Sequence, residues 1–223
     1  MTQYFILLKI YLMSPSEIAD KVAQYLLEIQ AVKLNVSEPF TWASGLKSPI
    51  YCDNRRILSF PEARNYVRKS LAQKVRDHFP DAEVVAGVAT GAIAHGVLVA
   101  EELDLPFVYV RSTQKEHGLG NQVEGYLPAG KKVVVIEDLV STGQSSLAAV
   151  DTLINEKAEV LGMIAIFTYG LENSIENMKS AKCTLYTLTD FSTLIKQAVN
   201  MGVMHHSSLD SLEQWRENPK AWR

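Results

Sequence analysis

Several features that mark particular classes of protein are scarce in this chain. It has only two cysteines, Cys52 and Cys183, and their wide separation forms neither a disulfide framework nor a metal-binding pattern. The net charge of −3 provides no basic excess for a nucleic-acid surface. We therefore expect a cytoplasmic protein with incidental thiols that binds no nucleic acid.

The sequence also lacks an apolar run that is long enough to cross a bilayer. Residues 1–12 are mostly apolar with Lys9 as their one charged side chain, whereas a membrane-spanning helix needs about 20 apolar residues. No small-residue cleavage site follows, which argues against a secretory signal. Residues 1–13 are assigned to an N-terminal extension, for which two interpretations stay open. Residues 1–12 lie upstream of a true translational start at Met13, or the extension forms a short added strand or arm.

A single α/β domain is predicted for residues 14–223. Ser14-Pro15-Ser16-Glu17 has the pattern of a capping box, with the proline at the first helical position, so the folded part should begin there. A length of 223 residues, with 47% hydrophobic and 21% charged residues, suits one globular domain.

The most informative stretch lies in the middle of the chain. Residues 133–136 are Val-Val-Val-Ile and predict a strand that is buried on both faces. Glu137 and Asp138 follow at its carboxyl end, and a short hydroxyl-rich turn with Gly143 comes next. A helix is predicted after the turn, with four apolar residues on one face: Leu147, Val150, Leu153 and Ile154.

This order of elements favours a sugar-phosphate site. Ligands of open parallel sheets bind outside the carboxyl ends of the strands, and a turn that opens a helix presents free N–H groups to a phosphate. Glu137 and Asp138 would repel a bare anion, but they can accept hydrogen bonds from vicinal ribose hydroxyls. The pattern has neither the lysine of a Walker loop nor the G-x-G-x-x-G spacing. The alternative is a surface strand end and a capped helix without a ligand.

Two motifs carry a family resemblance. The apolar strand, Glu-Asp pair and polar turn with Thr-Gly resemble the signature of type I phosphoribosyltransferases, which is specific for phosphoribosyl pyrophosphate but not for the base. A second group of residues resembles the N-terminal hood of orotate phosphoribosyltransferases: Phe40-Thr41, Ser44-Gly45, Ser48-Pro49 and Tyr51. The hood, at about residues 31–58, should contain a hairpin around the Ser-Gly turn. The alternative is a hairpin that only covers a sheet edge.

A polar loop after a predicted strand at 105–110 extends the resemblance. Residues 111–125 contain three cations and three glycines. Arg111, Lys115 and His117 match the Arg-x-x-x-Lys-x-His-Gly pattern of the catalytic loop in orotate phosphoribosyltransferases. Composition alone would only indicate a solvated loop.

The sequence departs from the family pattern at four places. Ala43 stands where many members have a lysine that reaches the ligands, and Ser112 where some have a second lysine. The turn at residues 89–92, which lies along the pyrophosphate of the substrate in the family, has no lysine either. No arginine lies at residues 168–170 for the orotate carboxylate, so its partner is left open. The cations nearest to Ala43 in the sequence are Lys47, Arg55 and Arg56.

The resemblance implies a role for each candidate residue. Lys115 and His117 would act on the leaving pyrophosphate, with Arg111 as a further anchor. Asp138 is the third catalytic candidate and shares the ribose hydroxyls with Glu137. The phosphoribosyl pyrophosphate site would comprise Arg111, Lys115, His117, Glu137, Asp138, Leu139, Val140, Ser141, Thr142, Gly143, Gln144 and Ser145. Ser141 would also contact the orotate. No side chain is assigned to a metal, because Mg²⁺ would be bound by the pyrophosphate and the ribose hydroxyls.

The remaining elements complete a doubly wound, mostly parallel sheet flanked by helices. Ser59 and Glu62 predict a second capping box. His95 is interpreted as a packed side chain, and the His205-His206 pair as a surface feature. Further strands are predicted at residues 83–88, 158–167 and 183–188, and further helices at 15–29, 93–103, 191–199 and 208–215.

The implied reaction converts orotate and phosphoribosyl pyrophosphate into orotidine 5′-monophosphate and pyrophosphate, a step of pyrimidine synthesis. The resemblance also implies a homodimer in which the loop of one subunit reaches the active site of the other. Two alternatives remain: a transferase for another base, and a regulator that senses phosphoribosyl pyrophosphate. The hood motif argues against the first, and Lys115 and His117 argue against the second.

Overall fold

A computed structural model describes residues 14–42, 45–112 and 122–222 of the chain. The helices are α1 (Pro15–Glu28), α2 (Pro61–His78), α3 (Ile93–Leu103), α4 (Gln144–Asn155), α5 (Glu172–Ser180), α6 (Phe191–Asn200) and α7 (Leu209–Glu217). The strands are β1 (Val32–Leu34), β2 (Phe40–Thr41), β3 (Lys47–Ser48), β4 (Ile50–Cys52), β5 (Val84–Val88), β6 (Phe107–Val110), β7 (Val123–Glu124), β8 (Lys132–Val140), β9 (Glu159–Thr168) and β10 (Leu185–Asp190). The 3-10 helices are Asn54–Ser59 and His206–Ser208.

The main sheet has the strand order β10-β9-β8-β5-β6-β7. All of its neighbouring strands are parallel except β7, which runs antiparallel to β6. The doubly wound, mostly parallel sheet is therefore confirmed, and the strand predicted at the edge is β10. No helix among the described residues combines the length and the apolar surface that a bilayer crossing requires.

The central strand is buried on both faces, as predicted. Val134 and Ile136 belong to one hydrophobic cluster of the core, and Val133 and Val135 belong to the other. All four side chains are fully buried. A run of apolar residues without polar alternation is what a parallel strand covered by helices on both faces requires.

β8 is longer than the apolar run indicated. It continues through Glu137 and Asp138 to Val140, because Leu139 and Val140 pair with Phe167 and Thr168 of β9. The expectation that the strand ends before the carboxylates was therefore wrong, and the turn begins at Ser141.

The buried face of α4 is narrower than predicted. Leu153 is fully buried, but the side chain of Ile154 is 51% exposed. Adjacent helical residues are about 100° apart, so only Leu153 falls on the stripe that packs against the sheet.

The two predicted capping boxes had different outcomes. In the first, Ser14 N–H donates to Glu17 Oε2 (2.7 Å) and Glu17 N–H donates to Ser14 Oγ (3.3 Å). The second was wrong, because Phe60 rather than Ser59 is the N-cap of α2 and has no side-chain cap bond. The residue before a proline is pushed towards extended backbone, so Phe60, which precedes Pro61, cannot be the first helical residue.

The hood contains the expected hairpin. Phe40 and Thr41 of β2 pair with Ser48 and Lys47 of β3, while β1 pairs with β4 in a second antiparallel ribbon. Trp42 of the hairpin packs against Tyr169 and Trp215 at ring-centroid distances of 5.2 and 5.6 Å. These contacts fix the hood above the carboxyl end of β9. The predictions for residues 1–13 lie outside the described residues.

Candidate active site

The candidate site is a cavity of about 370 Å³ at the carboxyl ends of β5 and β8. Three segments enclose it: the end of the hood, the turn after β5, and the end of β8 with the turn that follows. Of the predicted site residues, it is lined by Glu137, Asp138, Leu139, Ser141 and Ser145. The position agrees with the general rule for ligand sites in open parallel sheets.

Asp138 is held in the cavity by its surroundings on two sides. Its backbone carbonyl accepts a hydrogen bond from Asn54 Nδ2 at 2.6 Å. Its carboxylate lies against Gly91, where an added Cβ would come within 2.5 Å of the Asp138 carboxylate atoms. Glycine at position 91 therefore provides the space that the carboxylate occupies.

Glu137 makes different contacts from Asp138. It is only 4% exposed, and its two oxygens accept hydrogen bonds from Asp138 N–H (2.9 Å) and Ser146 Oγ (2.8 Å). Burial, and next the nearby Asp138 carboxylate, raise the pKa of Glu137 well above its usual value. The bond to Ser146 connects the end of β8 to the first turn of α4.

The turn after β8 opens a helix whose start has the geometry that suits an anion. Gly143 is the N-cap of α4 with a φ of +78°, a left-handed conformation that favours glycine. The helical ladder begins with Leu147 N–H donating to Gly143 O, so the amides of residues 144–146 have no intrahelical acceptor. These amides and the helix dipole suit a phosphate. Asn177 Nδ2 steadies the turn through a 2.9 Å bond to Thr142 O.

Four predicted residues of this segment do not line the main cavity with the others: Val140, Thr142, Gly143, which is the N-cap described above, and Gln144. Val140 is fully buried in the core, and its carbonyl accepts a hydrogen bond from Thr168 Oγ1 at 3.1 Å. Thr142 lines a separate cavity beneath the hood. Gln144 is exposed.

A buried polar group that the sequence did not reveal lies beside the cavity. Asn54 is fully buried. Its Oδ1 accepts a weak hydrogen bond from Cys52 Sγ (3.4 Å), and its carbonyl lies 3.3 Å from His95 Nε2. Burial lowers the pKa of His95 and raises the pKa of the Cys52 thiol. His95 is therefore a packed residue, as predicted, and no local pattern marked Asn54.

The cations are distributed unevenly around the site. Arg111 lines an adjacent cavity of about 190 Å³ together with Ser145 and lies 3.5 Å from Glu124. Lys47 donates to Thr41 Oγ1, and Arg56 donates to the carbonyl of Ile29. Arg55 lines the main cavity. Lys115 and His117 lie outside the described residues.

A parallel sheet with a carboxylate at one strand end and a helix start beside it is typical of α/β proteins that bind phosphorylated ligands. Comparisons with known proteins narrow this class. The model of the phosphoribosyl transferase domain matches residues 54–201. The chain therefore belongs to the phosphoribosyltransferase family, in its orotate phosphoribosyltransferase branch, since curated members of that branch are about half identical to it.

Three relatives illustrate the similarity. An orotate phosphoribosyltransferase of Listeria innocua is 53% identical over 205 residues, which cover 92% of this chain and 98% of the relative. One from Bacillus subtilis is 51% identical over 200 residues, with 90% and 93% covered. The crystal structure of an orotate phosphoribosyltransferase from Aeropyrum pernix is 27% identical, with a TM-score of 0.72 over 82% of this chain and 99% of that one.

Proposed function

We propose that this chain transfers the ribose 5-phosphate group of phosphoribosyl pyrophosphate to orotate, giving orotidine 5′-monophosphate and pyrophosphate. The observation that carries the proposal is one cavity that is lined by Asp138 together with Ser141 and Ser145 at the start of α4. The choice of orotate as the base is supported by the names of relatives that are about 50% identical over nine-tenths of the chain.

The reaction requires little covalent chemistry from the protein. The bond from C1′ of the ribose to the pyrophosphate oxygen breaks, the bond from C1′ to N1 of orotate forms, and the proton of N1 is lost. Positive charge develops at the sugar while negative charge grows on the leaving group. The protein contributes by positioning both substrates and by stabilising these charges.

The described residues divide these tasks. Asp138 accepts hydrogen bonds from the ribose hydroxyls, and its negative charge stabilises the positive charge that develops at the sugar. Glu137 provides further acceptor capacity and fixes the first turn of α4 through Ser146. The amides and hydroxyls from Ser141 to Ser145 hold the 5′-phosphate, and Ser141 also contacts the base.

The leaving group requires cations. Arg111 lines the cavity next to the turn and is available as an anchor for the pyrophosphate. Lys115 and His117, which lie outside the described residues, are proposed to neutralise the charge that grows on it. Closure of the loop between β6 and β7, whose residues 113–121 lie outside the described residues, is proposed to exclude water from the activated sugar.

Mg²⁺ is proposed as a cofactor that arrives with the substrate. Among the described residues, no group of three or more His, Cys, Asp or Glu side chains could hold a metal ion. The donor set still fits Mg²⁺, since this ion is commonly held by one or two carboxylates together with substrate phosphates. Asp138 would keep the ion in place through the ribose hydroxyls that it binds. When bound, Mg²⁺ would neutralise charge on the pyrophosphate.

Assembly and location belong to the same proposal. We propose a homodimer in which Lys115 of one subunit serves the active site of the other, and a cytoplasmic location. The unpaired state of Cys52 and Cys183 is consistent with a reducing compartment.

The test is an assay of pyrophosphate release with phosphoribosyl pyrophosphate, Mg²⁺ and a series of bases. Orotate should be the preferred base by a wide margin. Preference for another base would change the substrate assignment, and binding of phosphoribosyl pyrophosphate without transfer to any base would indicate a sensing regulator.

A further inference from the structure

Arg55 has an environment that its sequence position did not explain. It lines the main cavity, and its side chain is 59% exposed. Asp53 accepts hydrogen bonds from Arg55 Nε (2.7 Å) and Nη2 (3.0 Å), which is a bidentate pair. Asp53 Oδ1 also accepts from the Arg55 backbone N–H at 3.2 Å. These bonds to Asp53 hold the guanidinium in one orientation.

The pair leaves Arg55 with binding capacity. A guanidinium carries five N–H donors in a planar fork. The two side-chain bonds to Asp53 use two of them, so three donors remain for another anion. A fork that is already oriented loses little side-chain freedom when a second anion binds.

Other residues of the cavity lining indicate which anion would bind there. The turn after β5 contributes Ala89, Thr90 and Gly91, which are small and uncharged. Small residues allow the backbone to come close to a phosphate. That turn has no lysine, and among the described residues that line this cavity Arg55 is the one cation, beside the carboxylates of Glu137 and Asp138 in the same lining.

We propose that Arg55 binds the pyrophosphate of the substrate and of the product, and that Asp53 is the residue that positions Arg55 for this contact. The inference rests on the proposed function for its ligand. It assigns the leaving group to the cavity that a hood residue shares with the turn at residues 89–91, so that the leaving group lies between the hood and the sheet. Arg55 thereby supplies the charge that the turn lacks.

Direct binding of magnesium pyrophosphate to the full chain, measured by calorimetry, tests the proposal. Arg55→Gln should weaken binding by about 10-fold to 150-fold, the range expected for loss of a charge-assisted hydrogen bond. Arg55→Lys should give an intermediate loss, since the charge remains but the fork is lost. Arg56→Gln is the matched control and should leave binding unchanged, because Arg56 contacts the carbonyl of Ile29 instead.

The role of Asp53 is tested by a double-mutant cycle. Asp53→Asn should weaken pyrophosphate binding in the wild-type chain but should have little further effect when Arg55 is already glutamine. A general structural role for Asp53 would instead give the same loss in both backgrounds, and that result would overturn its assignment.

Two outcomes separate this inference from the proposed function. If Arg55→Gln and Arg55→Lys bind pyrophosphate like wild type and only the KM for orotate rises, Arg55 serves the carboxylate of the base and the inference is wrong. If the wild-type chain transfers to no base but its pyrophosphate affinity still depends on Arg55, the inference stands and the proposed function fails. Circular dichroism of each variant confirms folding.

Discussion

Replacing Gly91 by alanine should disable the site through a single steric contact. The added Cβ would lie 2.5 Å from the Asp138 carboxylate, whereas ordinary contact begins at 3.4 Å. The carboxylate must therefore move by about 1 Å, and a misplacement of ~1 Å near the reacting centre can reduce turnover by about 100-fold. The free energy of unfolding should change by less than about 1 kcal/mol, because a carboxylate at the end of a side chain can rotate away.

Steady-state kinetics and denaturant unfolding of the same samples measure the two effects. Gly96→Ala is the contrasting control, because its Cβ would meet the ring of Phe107 at 2.6 Å and should reduce stability. In an Asp138→Asn background, Gly91→Ala should lower kcat/KM little further, since the carboxylate that the added Cβ displaces is already absent. Retention of more than half of the wild-type kcat/KM by Gly91→Ala would refute the reasoning.

Three further predictions follow from the site and the chain. Asp138→Asn should lower turnover strongly with little loss of stability, and an unfolded variant or unchanged turnover would count against its role. A chain that begins at Met13 should fold and turn over like the full chain, because the cap of α1 lies after it; loss of solubility would show that residues 1–12 are structural. Mixing Lys115→Ala with Asp138→Asn, with subunit exchange confirmed by mass, should restore about half of wild-type activity per heterodimer, because one shared site carries both changes and the other neither. Persistent inactivity would exclude a shared site.

The fold could be predicted because its signals are local. The buried strand at 133–136 follows from consecutive β-branched residues, and the start of α1 follows from four adjacent residues around Ser14. At Ser59 two local signals conflicted. The spacing to Glu62 indicated a cap, but Pro61 forced the preceding residue into extended backbone, and the steric effect decided the helix start.

The site could be predicted only in part, since its supporting contacts connect distant segments. Asn54 and Asp138 are 84 positions apart in the chain, and the packing of Gly91 against Asp138 joins two different strand ends. Neither contact has a periodicity or a spacing that a sequence displays. The motif predicted Asp138 as a site residue, but the groups that hold it in place became visible only in three dimensions.

The contacts of Asn54 explain how the hood and the sheet form one site. The pairing of β5 with β8 ends at Gly87 and Ile136, although β8 stays paired with β9 as far as Val140. Asp138 therefore lies beyond the residues paired with β5, and Asn54 donates to its carbonyl. The neighbours of Asn54 in the chain are Asp53 and Arg55, which form the ion pair at the cavity. The same three-residue segment therefore fixes the strand end that is proposed to bind the ribose and carries the cation proposed for the pyrophosphate. A displacement of Asn54 would move both groups together, so Asn54→Ala should impair ribose and pyrophosphate binding in parallel rather than one alone.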